Sequence, residues 1–431
     1  MRTVIAAALI SLGAPLMAAA GWVDAAKPPS VDGTQHVQAG GDGTGPVCAD
    51  PCVWRVGYGD RANLFSDQAS FLLAGATLLP SGNVFVSGTR FASFEQEVWL
   101  ALLDRSGREI WNAHAPGLAC AAVPAGEGGA ILAADGLPGM ESVVFGYDGQ
   151  GEQSFAIGLS FQALNIDPDG AGGFLVSGQL DGRPIVIAYD PLGDRRWTWL
   201  GESDGHLALS ATGYEDGAVA VLGRGPGEDE DSDVIWLSML DGGDGSLSAL
   251  IKIHIAGREI SRPCDGVQVM GSVDPLGDGF LVRYNGLDPE TGILRNSVAA
   301  LSRDGTMRWL RETPSLREAD LPPPSPNDVE FAEDSVSAVS PTADGGALIA
   351  GFTYRPMGRG TPFVARLNDA GSEIWRTELS LAPAGQSTSQ AFFATVEETE
   401  NGGALTVVTD GLELLRLIAF VYSLGPNGEA P

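Results

Sequence analysis

An acidic run near the middle of the chain has the residue types and spacing that could hold a cation. Glu228, Asp229, Asp231 and Asp233 place four carboxylates within six positions. Oxygen ligands suit Ca²⁺, and alternate side chains of such a run could face one ion. The same run is typical of a solvated acidic loop whose like charges repel one another. We expect the solvated loop, with Ca²⁺ binding as the alternative, and no other cofactor.

A basic and aromatic group farther along the chain could bind an anion. Tyr354, Arg355 and Arg359 lie close together in a sequence that is poor in basic residues. Arginine forks bind carboxylate or sulfate through paired hydrogen bonds. Asp288 and Glu290, from another variable segment, complete the predicted ligand-binding set. We favour exposure of Tyr354, Arg355 and Arg359 without a ligand, with anion binding as the alternative.

Carboxylates could also serve as the acid and base of an enzyme. The candidates for a hydrolase or lyase acting on a carbohydrate or ester are Asp288, Glu290, Glu330, Glu333 and Asp334. General acid–base chemistry needs two such groups brought together from different segments. Linear sequence does not display such a site.

Two short motifs match known patterns but lack the required context. Gly201-Glu202-Ser203-Asp204-Gly205 fits the serine hydrolase elbow, which needs a strand before it and a helix after it. The residues that follow predict a strand instead. Asp167, Asp169 and Gly170 resemble the start of a calcium loop, yet position 178 is Gly, so we interpret them as a turn.

The four cysteines permit two disulfides in an oxidising compartment. Cys48 and Cys52 are separated by three residues and are the tentative pair, with zinc as a weaker alternative because no second ligand pair is nearby. Cys120 and Cys264 are predicted to open two strands far apart in the fold, and their pairing stays open.

A repeated pattern accounts for most of the chain. One turn centred on Gly precedes an apolar strand, as at Asp344-Gly345-Gly346-Ala347-Leu348, and a second turn ends in Gly, as at Gly371. The pair recurs about seven times. Two hairpins per unit at this period predict an all-β, seven-bladed β-propeller of four-stranded blades.

A large aromatic residue follows the second turn of most units. It stands four residues beyond the turn glycine, with Ala249 as the exception, at Trp111, Phe155, Trp197, Trp309 and Trp375. A side chain at a fixed place in every blade is interpreted as packing between neighbouring blades.

The last unit lacks a fourth strand, and Val53 to Tyr58 resembles an orphan one. We therefore predict that the N-terminal segment completes the last blade and closes the ring, which removes exposed sheet edges. The predicted blades span 72–117, 120–158, 161–202, 206–257, 264–314, 335–380, and 390–431 with 52–60.

Strand alternation assigns the connections to two faces. We call the side of the first-to-second and third-to-fourth turns the first face, and the side of all other connections the second face. The long variable segments, 224–233, 285–296, 311–334 and 354–361, all fall on the second face. Because scaffolds carry binding sites on variable loops, function is predicted there.

The repeats resemble those of secreted bacterial propellers with quinoprotein-type, PQQ-like repeats. Asp104-Arg105-Ser106-Gly107-Arg108-Glu109-Ile110-Trp111 fits the Asp-x-x-Gly-x-x-x-Trp pattern of that family. The resemblance implies the scaffold alone, since family members include enzymes, assembly factors and proteins of other roles. The adjacent cysteines common in quinoprotein dehydrogenases are absent, which argues against redox chemistry.

The N-terminus and composition predict export. Residues 1–20 have the basic start, apolar centre and small-residue end of a signal peptide, and residues 21–47 are interpreted as a flexible lead to one domain, 48–431. The whole chain carries a net charge of −30. That charge disfavours nucleic acid and anionic lipid as partners.

These observations lead to one hypothesis and one alternative. The chain is predicted to be an exported, monomeric, periplasmic or extracellular scaffold that binds a protein or carbohydrate partner through its second face, without catalysis or membrane insertion. The alternative is the secreted hydrolase or lyase described above.

Overall fold

The computed structural model describes fifteen segments of the chain, and every structural statement below concerns them. They are residues 54–58, 70–79, 81–92, 95–125, 128–135, 141–202, 206–214, 216–226, 233–255, 271–287, 294–315, 333–355, 359–379, 390–413 and 416–429.

Twenty-eight strands form seven sheets of four strands each. The strand nearest the N-terminus is β1, Trp54–Tyr58. Blade one contains β2 to β5: Ser70–Leu78, Val84–Ala92, Glu95–Leu103 and Glu109–Pro116. Blade two contains β6 to β9: Leu118–Ala125, Gly129–Asp135, Ser142–Tyr147 and Gln153–Leu159. Blade three contains β10 to β13: Gln162–Pro168, Phe174–Leu180, Arg183–Tyr189 and Arg195–Leu200.

The remaining four blades follow the same order. Blade four contains β14 to β17: Leu207–Gly213, Ala218–Pro226, Asp233–Asp241 and Leu247–Ile255. Blade five contains β18 to β21: Gly271–Leu276, Gly279–Leu287, Leu294–Leu301 and Met307–Ser315. Blade six contains β22 to β25: Glu333–Pro341, Ala347–Arg355, Arg359–Leu367 and Glu373–Glu378. Blade seven contains β26 to β28, Gln390–Glu398, Ala404–Glu413 and Arg416–Leu424, together with β1.

The sheets are arranged as a closed ring. All strand pairs are antiparallel, and the first strand of each blade contacts the first strands of both neighbouring blades, from β2 round to β26 and back to β2. The first strands therefore surround the axis, and the fourth strands form the outer rim. This arrangement is a seven-bladed β-propeller, as the repeats predicted.

The N-terminal strand closes the ring. β1 pairs with β28, with Trp54 opposite Ser423 and Tyr58 opposite Ala419. The prediction that the leading segment completes blade seven is confirmed. Pairing the two ends of the chain in one sheet covers the edge of β28, which would otherwise be exposed.

Glycine turns and aromatic side chains pack together between most neighbouring blades. Gly371 in blade six has a φ of +75°, and a Cβ at this residue would lie 2.9 Å from the Trp309 ring of blade five. Gly428 of blade seven has the same relation to Trp375 of blade six. Only glycine permits both the backbone conformation and the close ring. The interpretation of the repeated aromatics as packing between blades is confirmed.

The core lies between the blades. Each cluster of buried side chains draws on adjacent sheets, and the largest fully buried rings are Phe85, Phe174, Phe280 and Phe363. Each sheet is buried on both of its faces against the neighbouring blades. The second and third strands are therefore apolar at nearly every position.

The two faces differ in their connections. The thirteen connections on the first face contain two to five residues each, whereas those on the second face contain one to seventeen. The longest are residues 316–332 and 256–270. The four variable segments predicted for the second face connect strands on that face. The first and last residues of each segment belong to strands, so the connections themselves are shorter than predicted.

Candidate functional site

Backbone N–H groups at the inner edge of the ring donate hydrogen bonds to side chains of the preceding blade. A first strand has no partner on its axial side, so its amides there need acceptors. The Ala76 N–H of blade one donates to Thr395 Oγ1 of blade seven at 3.0 Å, and the Ala211 N–H of blade four donates to Asp167 Oδ2 of blade three at 3.1 Å. Two further bonds of this kind join the first strands, Val273 to Ser210 and Leu78 to Glu397. Farther from the axis, the Ala119 N–H donates to Thr89 of the second strand and the Ala163 N–H donates to Ser142 of the third strand of the preceding blade.

Three acidic residues occupy one repeat position on these first strands. Asp167, Asp274 and Glu397 belong to blades three, five and seven, and their partners in the second strands are Leu175, Leu281 and Leu405. We call these three residues the axial carboxyls. The other blades have uncharged residues at this position: Thr77, Val123, Thr212 and Ser340.

The axial carboxyls are enclosed by the ring. Each is half-buried: part of its surface stays open to solvent, and most of its surroundings are protein. That combination is expected of side chains along a narrow interior passage. They lie near the first-face ends of their strands, close to the short turns.

Burial shifts the protonation of this group of residues. Burial, together with the negative charge of Asp274, raises the pKa of Asp167 to about 8 against hydrogen bonds from Ala211 and Ser210 that lower it. Burial raises the pKa of Asp274 to about 7, opposed by Arg283, and the pKa of Glu397 to about 7. The buried Arg283 guanidinium has its own pKa lowered to about 10. Carboxyls with such pKa values both hold and release protons near neutrality.

Asp167 and Glu397 have hydrogen-bond partners in the next blade. Asp167 accepts from the Asn165 amide at 3.0 Å and from Ser210 Oγ at 3.3 Å, besides the Ala211 N–H. Glu397 accepts from the Leu78 N–H at 2.7 Å. These two carboxyls therefore join neighbouring blades, as the Thr and Ser hydroxyls do between other blades.

A second group of charged residues lies toward the second face of blade one. Arg90 Nη1 is 2.9 Å from Glu97 Oε2, and His114 Nδ1 is 3.3 Å from the same oxygen. Burial, together with the Arg90 charge, lowers the pKa of His114, so its ring is neutral at pH 7. The three residues come from three successive strands, and sequence spacing gave no sign of them.

The predicted cation and disulfide residues are largely outside the described segments. Glu228, Asp229 and Asp231 lie outside them, and Asp233 begins β16 with only its backbone described. Within the described residues, no three His, Cys, Asp or Glu side chains are placed to hold a metal ion. Cys48 and Cys52 also lie outside, so the bridge between them stays a prediction.

The predicted ligand-binding residues are placed only in part. Tyr354 and Arg355 end β23, Arg359 begins β24, and the backbone pairs Arg355 with Arg359 and Glu333 with Tyr354. Blade six thus brings Tyr354, both arginines and Glu333 to one corner of the second face. Asp334 is in β22 beside Glu333, and Asp288, Glu290 and Glu330 lie outside the described residues.

One sequence interpretation needs correction. Asp167 was assigned to a turn with Asp169, but it lies in β10 and faces the axis, and the turn begins only at Asp169, whose N–H donates to the Gly173 carbonyl. Cys264, which is predicted to open the first strand of blade five, lies outside the described residues, and the described part of that strand starts at Gly271. The Asp167 error arose because a local motif was considered without the repeat register.

The serine hydrolase motif falls between two strands. β13 ends at Leu200 and β14 begins at Leu207, and the described part of this connection, through Glu202 and from His206, contains no helix. Residues 203–205 lie outside the described segments. A strand on each side is the context expected of a connection between blades.

Comparisons with known proteins give only distant structural similarities. No family model and no curated protein matches the chain. Among solved structures, BamB from Moraxella catarrhalis is similar at 12% identity and a TM-score of 0.41, with 81% of this chain and 96% of that one covered. Virginiamycin B lyase from Staphylococcus aureus is similar at 10% identity and a TM-score of 0.47, with 85% and 98% covered. No argument about activity rests on them.

The described residues contain strands and turns only. None of them belongs to a helix of the length and apolarity needed to cross a membrane.

Proposed function

We propose that this chain is an exported, non-enzymatic scaffold whose second face binds a protein or carbohydrate partner. The observation that carries the proposal is the asymmetry of the two faces. Connections on the first face hold two to five residues and follow one pattern, whereas those on the second face vary from one to seventeen. Variation confined to one side of a rigid scaffold is typical of a binding surface.

The roles of the axial carboxyls also favour a scaffold. Asp167 and Glu397 accept backbone amides of the next blade, as Thr89, Ser142 and Thr395 do. A carboxyl that holds two blades together has a structural reason for its place. Their raised pKa values follow from burial and so do not require a catalytic role.

The cellular setting belongs to the same proposal. The signal-like residues 1–20 support delivery to the periplasm or beyond, and PQQ-like repeats are common in such proteins. The net charge of −30 favours a partner without strong negative charge, disfavours nucleic acid on electrostatic grounds, and suits a soluble monomer. Ca²⁺ at Glu228 to Asp233 remains part of the proposal as an alternative to a solvated loop.

The test compares matched variants on the two faces. Partners are captured by chemical cross-linking of the tagged, full-length protein in cells that export it. One variant has residues 316–332 replaced by a short Gly-Ser linker, a second has Glu228, Asp229, Asp231 and Asp233 changed to Lys, and the control is Asp278→Lys on the first face. We expect the second-face variants to lose the partner and the control to keep it. Retention of every partner by both second-face variants would refute the proposal.

An acid–base enzyme is the second candidate, and the axial carboxyls are the observation that favours it. Their pKa values near 7 to 8 suit proton transfer at neutral pH. Asp274 interacts electrostatically with Arg283. Among the described residues, it is the axial carboxyl without a hydrogen bond to the next blade. Purified protein is assayed on glycosides, uronates and esters, with and without Ca²⁺. Turnover that Asp274→Asn abolishes, while a Glu400→Gln surface control retains it, would establish the enzyme.

A further inference from the structure

One blade lacks the aromatic side chain that the repeat supplies elsewhere. In blades one, two, three, five and six, the residue that follows the bulge in the fourth strand is Trp or Phe, as at Trp111 and Phe155. The register places Ala249 at this position in blade four, opposite Met239. Ala249 is exposed, whereas every one of those aromatics is at least half-buried.

The glycine that accommodates the aromatic ring is nevertheless kept in the next blade. Gly305 of blade five has a φ of +85°, and Ile251 of blade four is its nearest neighbour, 2.7 Å from where a Cβ would stand. Blade two shows what is missing: there Phe155 and Ile157 together pack against Gly193 of blade three, each 3.1 Å from its Cβ position. Blade four has the isoleucine and the glycine but no ring. We call the place between Ala249, Ile251 and Gly305 the rim slot.

The strand that carries the slot has a free outer edge. Among the described strands β17 pairs with β16 alone, so none of them covers its other edge at the rim. Leu247 and Leu250 are 53% and 52% exposed, and Lys252 is the only charged residue in the nine of β17. Proteins usually guard exposed edges with several charges or a proline, and β17 has neither a proline nor an acidic residue.

We propose that the rim slot is a docking site for a partner protein that adds an extended strand to β17 and inserts an aromatic side chain over Ala249. The repeat itself identifies the occupant, because five other blades fill this position with an aromatic ring of their own. A cross-strand neighbour places its Cβ about 5 Å from that of Ala249, within the reach of a ring. Strand addition supplies backbone hydrogen bonds, and the ring supplies the buried anchor typical of interaction hot spots. The net charge of −30 favours a basic segment.

The site is separate from the second face. It lies on the outer edge of blade four near the first-face turn at Asp241, and it uses none of the variable connections. Loss of binding at one location therefore leaves the other testable.

The experiment uses two blocked peptides that differ in one residue. The first is Thr-Val-Arg-Trp-Arg-Val-Thr, which presents Val, Trp and Val on one face of a strand, and the second has Ala in place of Trp. Binding to the full mature protein is measured by calorimetry. We expect the Trp peptide to bind about tenfold more tightly or better, the effect of a hot-spot side chain. Equal affinity for the two peptides would overturn the proposal.

Variants of the protein then locate the site. Ala249→Phe recreates the Phe155–Ile157 arrangement, so it should remove the preference for the Trp peptide and raise the melting temperature. Leu250→Phe is the matched control, since it adds a ring at the next residue of the same strand, on the opposite side of the sheet, and should keep the preference. A preference that survives Ala249→Phe would contradict the proposal.

Two other results would also overturn the proposal. A homodimer that Ala249→Phe abolishes would show that the occupant is a second copy of this chain. Free indole that binds as tightly as the Trp peptide would show a small-molecule site. If Ala249→Phe fails to fold, the two peptides still decide the question on the unmodified protein.

Discussion

Glu397 in the last blade accepts a hydrogen bond from the backbone N–H of Leu78 in the first blade, at 2.7 Å. The two residues are 319 positions apart in the chain. Together with the Ala76–Thr395 bond beside it, this contact closes the inner edge of the ring, as the β1–β28 pairing closes the seventh sheet. Two contacts therefore close the ring: hydrogen bonds between first strands near the axis, and the β1–β28 pairing in the outer part of blade seven.

The first prediction concerns that contact. Glu397→Leu removes the acceptor and leaves the Leu78 amide without its partner in a partly buried place, so we expect a loss of about 1 to 3 kcal/mol in the free energy of unfolding. Glu397→Gln keeps an acceptor oxygen and should cost less than Glu397→Leu. Urea denaturation measures both. Glu400→Gln, an exposed change three residues away, is the control and should be near neutral. Equal stability of Glu397→Leu and wild type would show that the contact is not needed.

The second prediction is the pH dependence of stability. The pKa values of Asp167, Asp274 and Glu397 are raised to about 8, 7 and 7, so the folded state holds these protons more tightly than the unfolded state does. Their stabilising contribution is full below the unfolded pKa values near 4 and is lost as the pH rises through about 7 to 8. The melting temperature should therefore fall between pH 5 and pH 8.5.

Comparison with variants isolates the axial carboxyls in this experiment. Surface carboxylates also repel one another more at high pH, so the scans are made in high salt, which screens the exposed charges. Asp167→Asn and Glu397→Gln should each flatten the slope of melting temperature against pH. A slope of the same size in wild type and in both variants would contradict the assigned pKa directions.

The third prediction separates the two demands on the turn glycines. Gly217 and Gly371 both have positive φ, +83° and +75°. No atom of the described residues lies within 4 Å of a Cβ built on Gly217, whereas Trp309 lies 2.9 Å from one built on Gly371. Gly217→Ala should cost about 1 to 2 kcal/mol from backbone strain alone. Gly371→Ala should cost about 1 to 3 kcal/mol more, because the Trp309 ring must shift. Equal costs in denaturation experiments would mean that packing between these blades adjusts freely.

The fold was readable from sequence because its signals are local and repeated. A turn glycine, an aromatic such as Trp309 and an apolar strand lie within about fifty residues of one another, and this pattern recurs in most blades. The closing strand was readable because Trp54 carries the repeat aromatic without the rest of a blade. Even the exception at Ala249 and the retained turn glycine Gly305 were visible in the sequence, although only the structure showed that Ile251 packs against Gly305.

The axial carboxyls were missed because they come together only in the closed ring. Asp167 meets Ala211 across 44 residues and Glu397 meets Leu78 across 319, distances over which sequence patterns carry no information. Alignment of the repeats by strand register would have shown acidic residues at one position of blades three, five and seven. The local resemblance of Asp167 to a calcium loop drew attention away from that position.

Site-specific photocross-linking tests the central claim, that partners bind the second face, most directly. A photoreactive amino acid is introduced at Glu230, in the connection between β15 and β16 on the second face, or at Asp278, an exposed residue of the hairpin between β18 and β19 on the first face. After irradiation of cells that export the protein, adducts are resolved by mass. The account predicts adducts from position 230 and none from position 278. Adducts from position 278 alone would contradict it.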